Sequence, residues 1–289
     1  MQQQTVVIVG AGGKMGARAV EKIGKESRFR VLLCESDAAR ARQLLKDGFQ
    51  VLPTESALPE GDFVVMAVPD ALIARIAGQL VPHMRDGATL IMLDACAAYL
   101  NQLPHRPTLT FMITHPCHPP FFFEQSTPEA RRDYFGGIAL QDILVSLVAG
   151  SEVRFQEGSE VCKAMFGPVR SAYRVTPEQF ALLEPAMSEI VVATAACLMK
   201  ASLDAAVEKG VPPEAAHAFM AGHARIAMAI TFGAEKSPFS DAAKIAIELG
   251  MQRVIRSDWK KVFEPQVLRQ AIEVMLGVDA VEPAGELSR

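Results

Sequence analysis

Residues 5–16 read TVVIVGAGGKMG, and no other stretch constrains the fold of this chain as tightly. Val6, Val7, Ile8 and Val9 run straight into Gly10, Gly12, Gly13 and Gly16, and a helical pattern follows from Ala17. That order predicts strand, tight turn and helix. Glycine permits the turn and lets the backbone approach a ligand, while the helix N-terminus offers unpaired N–H groups and a partial positive charge. The combination holds a pyrophosphate. Gly10, Gly12, Gly13, Lys14, Met15 and Gly16 are therefore the expected dinucleotide-binding residues.

The first half of the chain continues the alternation. Apolar strand patterns fall at residues 29–34 (FRVLLC), 50–52, 62–69 (DFVVMAVP), 89–94 (TLIMLD) and 109–114 (LTFMIT), with helical patterns at 38–47 and 71–84. Residues 137–149 fit a strand or a buried helix equally well. Near-continuous apolar strands separated by helices predict a doubly wound parallel sheet, an α/β Rossmann domain over residues 1–175. From Thr176 the pattern changes. Thr176-Pro-Glu opens a helix that meets one proline, Pro185, and no glycine before Lys209, a length of about 45–50 Å. Further helices start near Pro212, Ser240 and Pro265, so residues 176–289 form an all-helical domain. Gly222 suits a close helix approach, and the last residues, from Glu282, read as a loose tail.

The 289 residues carry a net charge of −4, which argues against a nucleic-acid partner, and no apolar stretch reads as clean enough to span a membrane. Five scattered cysteines fit reduced thiols in a cytoplasm. The N-terminus has no basic segment ahead of the first strand and gives no sign of a secretory signal. The long helix is too apolar for one small domain to cover, which predicts a homodimer.

Glu35 closes the second strand, 19 residues after Gly16. A carboxylate there accepts from the ribose 2′-hydroxyl and repels a 2′-phosphate, so NAD is expected rather than NADP. Pro69, Asp70 and Asp94 follow the next strands and should border the nicotinamide ribose. The most chemically loaded segment is Thr114-His-Pro-Cys-His-Pro-Pro120. Its prolines forbid a regular helix, so it is expected to be a stiff loop at the carboxyl edge of the sheet. His115 and His118 can there take a hydroxyl proton or ligate a metal. On the long helix Glu189 sits among apolar neighbours and is expected to point inward, whereas Glu184 reads as exposed. His223 is either a core histidine or part of a site.

The glycine turn ending Lys-Met-Gly, the Val-Met-Ala-Val-Pro strand and the helical second half resemble the 6-phosphogluconate and prephenate dehydrogenase superfamily. A narrower resemblance is carried by residues 10–18, 114–120, 133–139 and 183–189: these stretches are similar to the D-apionate oxidoisomerase family over nearly the whole chain. The resemblance implies NAD-dependent oxidation of a branched sugar acid with migration of a carbon substituent, giving 3-oxo-isoapionate. That chemistry places a keto acid beside a tertiary alkoxide. A divalent cation, zinc or magnesium, bridging the two oxygens is the expected helper, with His115 and Glu189 as its protein ligands. His118 and His223 are the candidates for base or third ligand. A hydroxyacid or prephenate-type dehydrogenase without rearrangement, and a dinucleotide-binding regulatory module, are the alternatives.

Overall fold

The structure, a computed structural model, describes residues 3–277; the tail expected from Glu282 lies outside them. It consists of two compact units, one formed by the chain up to Ala181 and again from Ile272, the other by Leu182–Ala271.

The first unit is a seven-stranded sheet in the order β2-β1-β3-β4-β5-β6-β7. Its strands are β1 Gln4–Val9, β2 Phe29–Cys34, β3 Phe63–Met66, β4 Thr89–Met92, β5 Thr110–Pro116, β6 Gln141–Ala149 and β7 Val169–Arg174. All neighbours are parallel except β5 and β6. The helices are α1 Lys14–Ile23, α2 Ala38–Lys46, α3 Thr54–Ala57, α4 Ile73–Leu80, α5 Cys96–Tyr99, α6 Glu152–Phe166 and α7 Pro177–Ala181. Alternate strand residues feed two cores. Val6, Ile8, Phe63, Val65 and Ile91 pack under α1 and α6, beside Phe155 and Phe166. Val7, Val64, Met66, Leu90 and Met92 pack under α4, α5 and α7, around Ile73, Leu80 and Phe180. Such two-sided burial is why these strands read as unbroken apolar runs.

Several expectations change. Residues 50–52 make only one bridge, Val51 to Leu33. The undecided stretch is strand β6. Helix α6 and strand β7 had no counterpart in the sequence reading. Their signals are local: Gly150 turns with φ +107°, Ser151 accepts from Arg154 N at 3.4 Å as N-cap, and Gly167-Pro168 ends the helix.

The second unit is helical: α8 Thr194–Glu208, α9 Pro213–Thr231, α10 Asp241–Arg253 and the start of α11 Pro265–Met275. The helix Pro177–Glu208 takes π spacing over Leu182–Ala193, the stretch containing Pro185. A ring nitrogen without N–H and a clash with the preceding turn favour the wider i→i+5 spacing there. This helix corrects the membrane expectation: by length and composition it is apolar enough to cross a bilayer, with mean hydropathy 1.7 over its richest window. Only 6% of that window is buried within the chain. Throughout this unit Pro185, Ala186, Leu203, Ala216 and Leu268 are the buried residues, while Phe219, Phe232 and Ile245 are each more than 60% exposed.

Two glycines test how tightly the first turn is built. A Cβ on Gly16 would stand 2.1 Å from Gly10 O, whereas one on Gly78 in α4 meets nothing within 4 Å. Gly16→Ala should cost about 2 kcal/mol or more of stability in urea unfolding, and Gly78→Ala should add about 0.5–1 kcal/mol by restricting the unfolded chain. Equal effects would mean that the α1 approach is not tight.

Candidate active site

Strands β1 to β5 deliver their carboxyl ends to one edge, and chemistry-bearing residues collect there. Gly10 turns with φ +82°, and its N–H and that of Ala11 both donate to Cys34 O, at 2.9 and 3.1 Å. A Cβ on Gly10 would lie 2.3 Å from Ala67 O, and one on Gly12 would lie 2.6 Å from Arg40 Cβ. Gly13 is the N-cap of α1 and supplies no side chain, so the first-turn N–H groups of Lys14 and Met15 are left for a ligand. Glu35 closes this cradle. Its carboxylate accepts from Gly12 N at 2.8 Å and from Asp37 N at 2.9 Å. Each oxygen retains capacity to accept a ribose hydroxyl.

Pro69 precedes a single 3-10 turn, Asp70–Leu72, and Asp94 follows β4. Asp94 is 5% exposed, and its Oδ1 accepts from Cys96 N at 2.7 Å. Asp70 keeps solvent contact as a residue. Even so, partial burial of its carboxyl first, and the Asp94 carboxylate second, push its pKa from 3.8 up to about 6, while the His115 ring works the other way. Asp70, Asp94 and His115 therefore share one electrostatic environment.

His115 belongs to β5 rather than to a loop. The strand runs through Pro116, paired antiparallel with β6 as His115↔Leu144 and Pro116↔Ile143. Proline is tolerated because it stands at the strand end. Cys117 N then donates to Asp142 O at 2.9 Å and carries the pairing one residue further. His118 turns away with φ +61°, in the left-handed region, and its Nδ1 donates to Phe135 O at 2.9 Å. His115 Nδ1 donates to Pro116 O at the same distance. A carbonyl only accepts, so in the neutral form of either ring the proton is on Nδ1 and the basic nitrogen is Nε2. The two rings stand 5.9 Å apart, edge to face. Burial lowers the His118 pKa; the Phe135 hydrogen bond opposes it in part, while His115, Arg18 and Lys14 add to the lowering, which favours the neutral ring. Although Cys117 is exposed as a residue, desolvation around its sulfur and then the Asp142 carboxylate raise its thiol to about 11, which leaves it a poor nucleophile at neutral pH.

The other candidates lie in the helical unit. Glu189 is exposed within the chain, and Glu184 is the partly buried one, the reverse of the expectation. The π spacing explains this, because it rotates every residue beyond Pro185 relative to a regular helix. His223 is on α9, stacked on Phe219 at 3.8 Å, with Nδ1 donating to Phe219 O at 3.0 Å. Among the described residues no group of three or more His, Cys, Asp or Glu side chains is placed to hold a metal. Two residues at the edge of the site escaped the sequence reading, Arg18 and Phe135. Arg18 falls one turn after Lys14, and Phe135 precedes the Gly-Gly pair at 136–137, a turn that Asp133 caps.

The raised Asp70 pKa has a signed consequence. The folded protein holds this proton up to about pH 6, whereas the unfolded chain releases it near 3.8. Stability is therefore lost as pH rises through that window. Asp70→Asn should melt higher than wild type at pH 7 and at the same temperature as wild type below pH 4. A difference that stays constant from pH 4 to 8 would show an ordinary carboxyl.

Known proteins bear on the whole chain. A model of the acetohydroxy acid isomeroreductase NADPH-binding domain matches residues 1–125, and one of the phosphogluconate dehydrogenase (decarboxylating) C-terminal domain matches residues 123–276. D-apionate oxidoisomerase of Cupriavidus necator is 43% identical, over 93% of this chain and 98% of its own length. That of Blautia hydrogenotrophica is 41% identical, over 96% and 99%. A semialdehyde dehydrogenase NAD-binding protein from Cupriavidus necator, solved in complex with calcium and NAD, superposes with a TM-score of 0.91 at 41% identity, over 94% of this chain and 99% of that one. An NADH-preferring ketol-acid reductoisomerase from an uncultured archaean shares the fold, with a TM-score of 0.70 at 19% identity. Since the oxidoisomerase identity runs through both the glycine turn and the helical unit, the chain belongs to the D-apionate oxidoisomerase family, within the 6-phosphogluconate dehydrogenase-like superfamily.

Proposed function

We propose that this chain is a cytoplasmic NAD-dependent oxidoreductase of carbohydrate metabolism that oxidises D-apionate and rearranges the product to 3-oxo-isoapionate. The carrying observation is the 40–43% identity to four D-apionate oxidoisomerases over 93–96% of the chain. The geometry supports it. Glu35, held against the glycine turn, faces the ribose side and selects NAD. Once bound, NAD supplies the acceptor for the hydride of the substrate carbinol. Burial favours the neutral form of His118, whose basic Nε2 is oriented by the Phe135 carbonyl and takes the hydroxyl proton. His115, beside Asp94 and Asp70, is the second candidate for proton transfer, and His223 of the helical unit the third. The resulting ketone stands next to a tertiary hydroxyl. Deprotonation of that hydroxyl drives the carbon substituent across, and the skeleton changes without net redox.

A divalent cation that assists the rearrangement is a further part of this reading. Among the described residues no group of three or more His, Cys, Asp or Glu is placed to hold one, so substrate oxygens and water would supply much of its shell. The Cupriavidus necator protein was solved in complex with calcium as well as NAD, and no step above passes through the ion. We also read the chain as a homodimer. The second unit leaves Phe219, Phe232, Ile245 and most of the long helix uncovered, and Gly222 faces open space within one copy. An unpaired unit of this kind would aggregate, whereas a second copy of the same helices supplies a matching apolar face.

The purified protein should form NADH with D-apionate and yield a rearranged skeleton by NMR, and His118→Ala should lower kcat about 10²–10⁴-fold. An unrearranged keto acid would reduce the chain to a plain dehydrogenase. NAD binding without turnover of any aldonic acid would make it a regulatory module. Full activity after exhaustive chelation would remove the cation, and a monomer mass in light scattering would remove the dimer.

A further inference from the structure

Beside the glycine turn, α1 and residues 129–138 enclose an open cleft of about 620 Å³, within the range of small-molecule sites. Lys14, Arg18 and Lys22 line it from α1, and Arg132 lines it from the loop. The three α1 cations are spaced four residues apart and so stand in one row along the helix. Lys14 Nζ sits 3.8 Å from the centre of the Phe135 ring. Arg18 is 8% exposed, with its guanidinium 5.2 Å from the Phe135 ring and 5.3 Å from that of Phe166. Its Nη1 donates to Phe135 O at 3.1 Å, but Nε and Nη2 are buried without a partner. Burial lowers the Arg18 pKa, and the attraction of Asp133 offsets only part of that. A buried guanidinium with two idle donors is costly until negative charge comes close.

The carboxylates of the cleft do not provide that charge in full. Asp133 commits its oxygens to the N–H groups of Gly136, Ile138 and Ala139, at 2.8, 2.7 and 3.0 Å. Glu21 is turned to Lys25 at 3.0 Å. With Glu129 the cleft has three carboxylates against four cations; Glu21 also feels the charge of Lys22, whose ammonium donates to Gly137 O.

We propose that this cleft, which adjoins the dinucleotide turn and shares Lys14 with it, is a further binding site for a small anion carrying two or more phosphate or carboxylate groups. Its occupant acts on the histidine loop. The Phe135 carbonyl accepts from both Arg18 and His118, and the Phe135 ring lies against Lys14 and, at 5.4 Å, against His118. An anion drawn to Lys14 and Arg18 thus pulls on the residue that orients the His118 ring. Binding itself is independent of which sugar acid the protein oxidises.

The test is calorimetric titration of the NAD-saturated protein at low salt, with inorganic pyrophosphate in one arm and citrate in the other. At least one anion should bind once per chain, and the tighter arm identifies the class. Lys22→Ala and Arg132→Ala should each weaken binding about tenfold, equivalent to one charge-assisted hydrogen bond, and leave NAD affinity unchanged. The proposal is overturned if neither anion binds, if saturation with NAD abolishes binding, or if both variants bind like wild type.

Discussion

The close approach of α1 to the end of β1 is the constraint on which the rest of the functional edge depends. Gly16 lies so near Gly10 O that no Cβ fits between them, and Gly10 itself lies against Ala67 O. These contacts bring the helix N-terminus, with its uncapped N–H groups, to the crevice where β2 and β3 part on either side of β1. The Glu35 carboxylate then ties Gly12 to the end of β2. One interaction holds the turn in shape and also presents the acceptor that reads the ribose, so recognition and rigidity are the same contact.

The reacting side of the edge depends on a different element. Strand β6 enters antiparallel, and its pairing keeps β5 extended through His115 and Pro116. The chain must then reverse, and His118 does so in a left-handed conformation held by the Phe135 carbonyl. Backbone held in that region by surrounding contacts is a feature of sites where a side chain has to be aimed. Phe135 comes from the loop that Asp133 braces with three backbone bonds. His118 is thus positioned by a residue 17 positions further along the chain, and His115 by its strand pairing with Leu144.

The helical unit presents the opposite situation. Its helices are strongly apolar, yet few of its side chains are buried. Exposed apolar faces of this extent are unfavourable in water and mark interaction surfaces.

The division between what was legible in the residues and what was not follows the range of the interactions. Strand β1, its glycines and α1 were legible because turn geometry and helix-terminal charge are set by near neighbours. The long helix from Pro177 was legible because its cap and its lack of glycine are local too. Helix α6 and strand β7 were missed because their residue types hide the pattern: the buried face of α6 carries Gly158 and Ser159 while Val153 is exposed, and β7 is half-exposed with arginines at both its second and last positions; only Gly150, Ser151 and Gly167-Pro168 marked the ends. By itself the sequence determined a dinucleotide turn, a parallel sheet, a stiff histidine segment and a helical second half. Only the tertiary structure decided that His115 is a strand residue, that burial favours the neutral form of His118 and Phe135 aims it, that Glu189 is exposed within the chain, and that Arg18 is buried with unused donors. The physical reason is that pKa, tautomer and side-chain direction depend on burial and on partners far along the chain, which residue spacing does not encode.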